Sequence, residues 1–455
     1  MRRLILLLSL LVVIPRAGHA QTTDTEERRK TLERDGVMWG SKAAWVTPFR
    51  EDISREQKVA GLARFWMEVK INFPHFAEVP DLDWDKTFVD YLPQVEATRS
   101  TYEYYKVLQR MCALLNDGHT NVFLPDTLAK RMEAVPPIRT DLVDARVFVT
   151  SVESPTLQAA GIVPGLEITA IDGVPVRAYA EKDKRPYVSS NSPQHRDVQV
   201  YSYALLAGPR ARPVSVTFRT PAGTSLVRRI SRTPYADRAP LPTLQTRTLD
   251  DGVAYVAINT FNDEGVTKAF EQVLSGLTSA PGLIVDVRQN DGGSGVAAYD
   301  ILGFLTDSSF ATPHWKTRQY AATGRAWGEA GGWVDGPNRP WQPKPGLRYR
   351  KPVVLITGPR ALSATDVFAA AFQDIHRGPI VGEPTGGSSG DPLPFALPGG
   401  GSGRVATSIV TDHDFVGHGV RPDVLVAPTP EDVVAGHDVT LEAARREIAT
   451  LIHRP

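Results

Sequence analysis

From Ile53 the chain reads as helix. Val59, Leu62, Phe65, Trp66 and Val69 recur at spacings of three and four, which lays them on one face. "DWDKTFVDYLPQVEA" opens a second helix with Asp83 in the capping position. A third carries the apolar stripe Tyr104, Val107, Leu108, Met111, Leu114 and Leu115. It stops at Asn116-Asp117-Gly118, since glycine readily takes the backbone conformation that ends a helix. His119 follows at once and leads into a strand-like run through Leu124. Residues 53–135 are therefore expected to be a helical region, with 21–52 an irregular polar lead-in.

The texture changes near Val135-Pro136-Pro137. Residues 139–234 read as short strands: "RVFVTSV", then "RPVSVTFRTPAGTSLVRRI", a hairpin about Pro221-Ala222-Gly223. Between them "AAGIVPGLEITAIDGVPV" predicts a short helix, a glycine turn, a strand and a tight Asp172-Gly173 turn. This string resembles the PDZ pattern "GI..GD.I..ING..V", with Leu166 where an Asp is usual. Gly161, Ile162 and Ile168 then fall at the expected substrate-binding positions. Such a domain would select substrate and contribute no chemistry.

From about residue 249 apolar strands alternate with helices: "GVAYVAINTF", "VTKAFEQVLSGL", "GLIVDVRQ", "VAAYDILGFL", "KPVVLITG". Strands that are apolar throughout are covered on both faces, so residues 240–455 predict an α/β layer. Residues 311–350 break the alternation. They hold Trp315, Trp327, Trp333 and Trp341 among glycines and prolines and show no regular pattern. A packed surface excursion and a wall of a substrate cleft are equally open.

Length 455 suggests two or three domains. The formal net charge of +0 supplies no long-range attraction to nucleic acid. Arg2 and Arg3 precede an apolar run to Ile14, and Gly18-His19-Ala20 offers small residues for cleavage. Residues 1–20 thus read as a secretory signal peptide, with a periplasmic or extracellular product. The run is too short to span a bilayer, so no stable membrane insertion is expected after cleavage. A single cysteine, Cys112, leaves no internal disulfide.

Ser363 stands in "LITGPRALSATDVFAAAF", where a buried strand turns into an alanine-rich helix. Ser-x-x-Asp, with Asp366, is close to a capping box, and a cap is the simple reading. The same placement exposes the hydroxyl at a sheet edge, beside helix N–H groups suited to an oxyanion. Such a serine still needs a base. "DVRQNDGGSG" places a glycine-rich turn at the end of another strand; it lacks the Lys-Ser/Thr of a P-loop.

Taken together, "LARFWMEVKINFPHF", "LLNDGHT", "GLIVDVRQNDGG", "SATDVFAAAFQD", "VGEPTGG" and "GHGVRPDVLV", in this order, resemble the serine peptidases comprising the C-terminal processing proteases and the tricorn proteases. The resemblance spans about residues 53–442. It implies a ClpP/crotonase-like ββα core, an N-terminal helical region and an inserted PDZ-like β domain. It assigns Ser363 as nucleophile, His119 as general base, and Gly292, Gly293 and Ala364 to the oxyanion hole. It implies an exported endopeptidase acting on peptide or unfolded protein, without a cofactor. Two departures stand out. The processing branch has a lysine where this chain has Ser388, and no lysine follows Lys351. The tricorn branch has a glutamate where this chain has Val416; Asp414, two residues earlier, is the candidate orienting acid. An impaired relative that only binds peptides is the alternative. Asp412, His413, Asp414 and His418 lack the ligand spacing of a metal motif, and no metal is expected.

Overall fold

The computed structural model describes residues 46–453, apart from 235, 236, 238, 239, 330 and 338. The leader expected at residues 1–20 and most of the segment 21–52 lie outside the described residues. Three helices come first: Arg55–Asn72, Trp84–Glu96 and Thr101–Ala113. Ser54, Asp83 and Ser100 cap them, each accepting a bond from a backbone N–H three residues on. Leu62, Phe65, Val69, Leu108 and Met111 pack together and against Phe395, Leu397 and Val405, which lie far along the chain. The apolar stripe of the first and third helices thus closes over a late segment rather than over itself. Strand β1 (Asn121–Phe123) leaves this layer.

Next come β2 (Ile138–Val143), β3 (Arg146–Val152), β4 (Glu167–Ile171), β5 (Val174–Pro175), β6 (Val214–Arg219) and β7 (Ser225–Ile230). They form an antiparallel sheet in the order β2-β3-β4-β6-β7, with β5 paired to β4. Asp172 and Gly173 have φ of 48° and 80°, the paired positive values of a tight hairpin turn. The sheet has its own core, including Val147, Val149, Ile168, Val216 and Phe218.

The largest core belongs to β8 (Leu244–Thr248), β9 (Ala254–Ile258) and β10 (Leu283–Asp286), continued by later strands. After β11 (Trp315–Gln319) and β12 (Gly332–Asp335) come β13 (Val353–Thr357) and β14 (Ile380–Gly382). Then follow β15 (Leu393–Leu397), β16 (Gly401–Val405), β17 (Ser408–Val410) and β18 (Val424–Leu425). The main sheet runs β18-β14-β13-β10-β9-β8, parallel except for β8. Leu283 and Val285 face helices Val266–Gly276, Gly295–Gly303 and Ala364–Asp374; Ile284, Val354 and Ile356 face helix Val439–Ile452. Covering both faces explains why these strands are apolar at every position.

Parallel pairing of β10 with β13 has a functional consequence. Their carboxyl ends emerge side by side, so the Asn290–Gly293 turn and the Ser363 turn become neighbours. Leu362 N–H donates to Asn290 O at 3.2 Å across the two turns.

Residues 311–350, which show no regular pattern in the sequence, do contain regular structure. β11 and β12 form an antiparallel hairpin, and β11 also pairs with β17. Every residue of β12 is exposed, so no apolar alternation marks it. The second partner of β11, β17, lies some ninety residues downstream, beyond any local signal.

Candidate active site

His119 follows the third helix and precedes β1, which pairs antiparallel with β16. The ring is 3% exposed. Its Nε2 lies 2.9 Å from Ser363 Oγ, and its Nδ1 lies 2.7 Å from Ser388 Oγ. Nδ1–H donating to Ser388 leaves the Nε2 lone pair free to accept the Ser363 hydroxyl proton. Burial pushes the imidazole well below the ordinary 6.5, and Arg404, His195 and His75 push it further. The ring is therefore neutral near pH 7, as a base must be.

Ser363 is the N-cap residue and keeps the Asp366 half of the capping box, its N–H donating to Asp366 Oδ2, but it is an unusual cap. Its side chain makes no capping bond, and its φ of 63° and ψ of −117° lie outside the extended region that caps adopt. A positive φ costs a serine roughly 1–3 kcal/mol and needs support from its surroundings. Ser363 N–H is held by Asp366 Oδ2 at 2.7 Å and by Ser388 O at 3.1 Å.

Asp366 is the hub of this support. It is fully buried, and it accepts from Ser363 N–H, Thr385 Oγ1, Gly387 N–H and Ser388 N–H. Burial pushes its pKa up to about 7 against these four bonds. All four partners donate, so the carboxylate form is the one the site matches. One carboxylate thereby fixes both the serine turn and the loop bearing Ser388.

Glycines line the assembly where side chains would collide. A Cβ on Gly118 would stand 2.7 Å from Ser388 Oγ, and one on Gly390 would stand 3.2 Å from His119 Cβ. A Cβ on Gly292 would lie 2.8 Å from Ser363 Cβ and 3.2 Å from Ala364 N, filling the space beside the serine. Gly292 itself is a correction to the expected donor set. Its N–H is already bonded to Asn290 Oδ1 at 2.9 Å. Among the described residues, Gly293 N–H and Ala364 N–H have no acceptor.

Asp414 does not reach His119. Its side chain is fully exposed, and His418 Nε2 lies 3.9 Å from it. Residues 413–418 are not strand: Val416, Gly417 and His418 form a turn, with Gly417 N–H on Gly387 O. The turn carries residues 414 and 416 away from the geometry a strand would impose, and Ser388 occupies the Nδ1 side. Asp412, His413 and Asp374 form a separate exposed hydrogen-bonded cluster. No group among the described residues is arranged to hold a metal ion.

Ile162 and Ile168 are also corrected. Both are 0% exposed in the core of the β2–β7 sheet, where their side chains cannot meet a substrate. Gly161 is exposed, ending the helix Pro155–Ala159 with φ of 81°. Edge strand β2 is covered: Thr140 Oγ1 donates to Tyr201 O at 2.6 Å, and Asp141 accepts from Ser202 Oγ and pairs with Arg360.

What sequence reasoning missed lies within residues 189–194, "SNSPQ" with Ser189 before it. Ser189 Oγ accepts from Asp117 N–H, and Asn191 Oδ1 accepts from Gly118 N–H. Ser192 Oγ donates to Gly386 O, and Gln194 Nε2 donates to Thr385 O and His418 O. This stretch brackets the histidine loop and the Ser388 loop at once. No local pattern could reveal it, because every partner lies more than seventy residues away. Ser388 carried a signal, as the missing-lysine position; Asp366 was visible only as a capping residue. Asp117, two residues before His119, has a buried side-chain carboxyl with no hydrogen-bond partner among the described residues, within electrostatic reach of Arg404 and His75.

With this geometry in hand, similarity to known proteins becomes interpretable. Residues 252–426 match the sequence model of "Peptidase family S41". A carboxyl-terminal-processing protease of Picosynechococcus sp. is 23% identical over 350 residues, 72% of this chain and 74% of that one. The crystal structure of mature CPAF superposes with a TM-score of 0.69 at 17% identity, covering 88% of this chain and 98% of that one. The photosystem II D1 C-terminal processing protease gives 0.50 at 20% identity, covering 84% and 98%. At these identities the structural matches establish the mixed α/β fold, with N-terminal helices and several sheets. Residues 252–426 are thus similar to peptidase family S41, and the sequence matches indicate a serine-type peptidase.

Proposed function

We propose that this chain is an exported endopeptidase in which Ser363 is the nucleophile, His119 the base and Ser388 the group that fixes the base's tautomer. Ser363 Oγ bonds to the peptide carbonyl carbon while its proton passes to His119 Nε2. The resulting oxyanion is received by Ala364 N–H and Gly293 N–H, beside the space that Gly292 leaves open. The carbon–nitrogen bond then breaks, and His119 returns the proton to the leaving amine. Water attacks the acyl ester, gives a proton to His119, and Ser363 is regenerated. We read the main sheet as a ClpP/crotonase-like core and residues 139–234 as PDZ-like, binding a substrate chain by addition at a sheet edge. Among described residues the open edge is β7, since β2 is covered.

The observation that carries this reading is the 2.9 Å contact between Ser363 Oγ and His119 Nε2, made by residues 244 apart in sequence. A fluorophosphonate probe tests it. Labelling should map to Ser363 and vanish in Ser363→Ala and in His119→Ala while both variants stay folded. A peptide-binding protein without catalysis is favoured by one fact: no carboxylate touches His119 Nδ1. That reading predicts peptide affinity and no labelling of the parent protein.

A further inference from the structure

The tryptophan-rich excursion divides into two halves with different surroundings. Trp341 is anchored, with its ring against Tyr299 and its Nε1–H on Asp300. Trp315 is pressed against Gly336, where a Cβ would come within 2.2 Å of the indole. Trp327, Trp333 and Tyr320 are 76%, 41% and 63% exposed, and Val334 is 45% exposed. All four belong to the β11–β12 hairpin and its connection. Folded proteins seldom gather exposed aromatic surface in this way without a use for it.

β12 is also an outer strand. Among the described residues its only strand partner is β11, which leaves one row of its backbone N–H and C=O groups unpaired by any described strand. Edges of this kind are usually guarded by lysine or proline. Here "GWVD" carries one charge, Asp335, and presents an exposed tryptophan and valine, with Lys316 Nζ 4.8 Å from the Trp333 ring.

The hairpin is tied to the catalytic cleft. β17 pairs with β11, and Thr317 Oγ1 donates to Thr407 O at 2.7 Å. Thr407 N–H donates to Gly390 O at 2.7 Å, and Gly390 lies against His119. Ala406 N–H donates to Thr120 Oγ1, next to the base.

We propose that the outer edge of β12, with Trp327, Trp333 and Tyr320, docks an extended segment of substrate polypeptide bearing large apolar side chains. The proposal rests on the peptidase reading above and names its substrate class. Main-chain pairing to the edge supplies affinity for any extended chain, and the aromatic rings select apolar side chains. The size of the patch argues for this occupant over a second copy of the protein. At about 200 Å² per ring, the three rings expose roughly 400 Å². A stable contact between folded partners needs about 800 Å² on each side. Strands lie about 4.8 Å apart, which sets a docked chain roughly 14 Å from β17.

The test compares two substrates on the parent protein and on Trp327→Ala/Trp333→Ala. One is an unstructured twenty-residue peptide with two phenylalanines; the other is a six-residue peptide with the same scissile bond. The expected result is a KM at least tenfold higher for the long peptide, with kcat, the short-peptide kinetics and probe labelling of Ser363 unchanged. An unchanged long-peptide KM overturns docking. So does a parent that sediments as a dimer and a double variant that sediments as a monomer, which assigns the patch to self-association. If the parent cleaves neither peptide, the peptidase reading fails separately. Docking is then decided by fluorescence anisotropy of the labelled long peptide on Ser363→Ala: affinity lost with the two tryptophans supports it, affinity retained overturns it.

Discussion

The hydroxyl of Ser388 stands 2.7 Å from Nδ1 of His119, on the side where serine peptidases generally hold an acid. A neutral hydroxyl can fix the tautomer of the ring but cannot balance the charge of an imidazolium. Ser388→Ala should therefore lower kcat by about tenfold, about 1.4 kcal/mol of barrier, with little change in KM. Steady-state kinetics on one peptide at one pH measure this, and an unaltered kcat removes Ser388 from the catalytic unit.

Activity should rise with pH through about 7, the value to which burial pushes Asp366. Below that value the carboxyl gains a proton and can no longer accept from all four donors, so the Ser363 and Ser388 turns loosen. His119 cannot set this limb, because its own pKa lies well below 6.5. Asp366→Asn should leave only residual activity, and a pH profile of that residue should lack the limb. A limb that persists in Asp366→Asn contradicts the assignment.

Stability should respond to the same two groups with opposite signs. The folded pKa of Asp366 is raised above its unfolded value, so its contribution to stability is present at low pH and is lost as pH rises toward about 7. The folded pKa of His119 is depressed, so its contribution is present above about 6.5 and is lost as pH falls. Denaturant titrations at pH 5 and pH 8 should show His119→Asn gaining stability relative to the parent at the acid end. Equal differences at both pH values would contradict the depressed pKa.

Gly118→Ala should be costly at a position outside the catalytic set. The added methyl meets Ser388 Oγ at 2.7 Å, and overpacking of this kind typically costs about 1–3 kcal/mol. Because the displaced atom is the partner of His119, kcat should fall as well. Thermal unfolding and kinetics together check this; a stable, fully active variant would show that the loop yields freely.

Asn191→Ala tests the bracket between the β2–β7 sheet and the catalytic loops. It leaves Gly118 N–H without its partner, at a cost of about 1–3 kcal/mol. Probe labelling of Ser363 should slow in the folded variant although residue 191 makes no contact with Ser363. Labelling at the parent rate would reduce the bracket to a structural contact.

The sequence disclosed what is local and what is periodic. Asp83 caps its helix as the pattern predicts, and Leu283–Asp286 is buried at every position, as an unbroken apolar run implies. That Ser363 and His119 would stand together, as they do, was legible because their flanking turns are distinctive and the family resemblance aligns them. Asp414 was misjudged because a strand was extended through "HDFV", whereas glycines at 417 and 419, with φ of 91° and 83°, turn the chain there. Gly292 was misjudged because a glycine-rich turn shows how many N–H groups exist, not which of them a neighbour such as Asn290 has already taken. Ile162 and Ile168 illustrate a related limit: a motif string marks a domain's core as readily as its binding surface.

Ser363 and His119, the proposed nucleophile and base, come from segments 244 residues apart, locked together by a third loop and by the stretch 189–194. No fragment of the chain can contain a working centre. During synthesis the serine is an ordinary residue until nearly the whole polypeptide has emerged and closed on itself. If Ser363 and His119 are the working pair, an unfinished copy lacks their contact and cannot cut its neighbours.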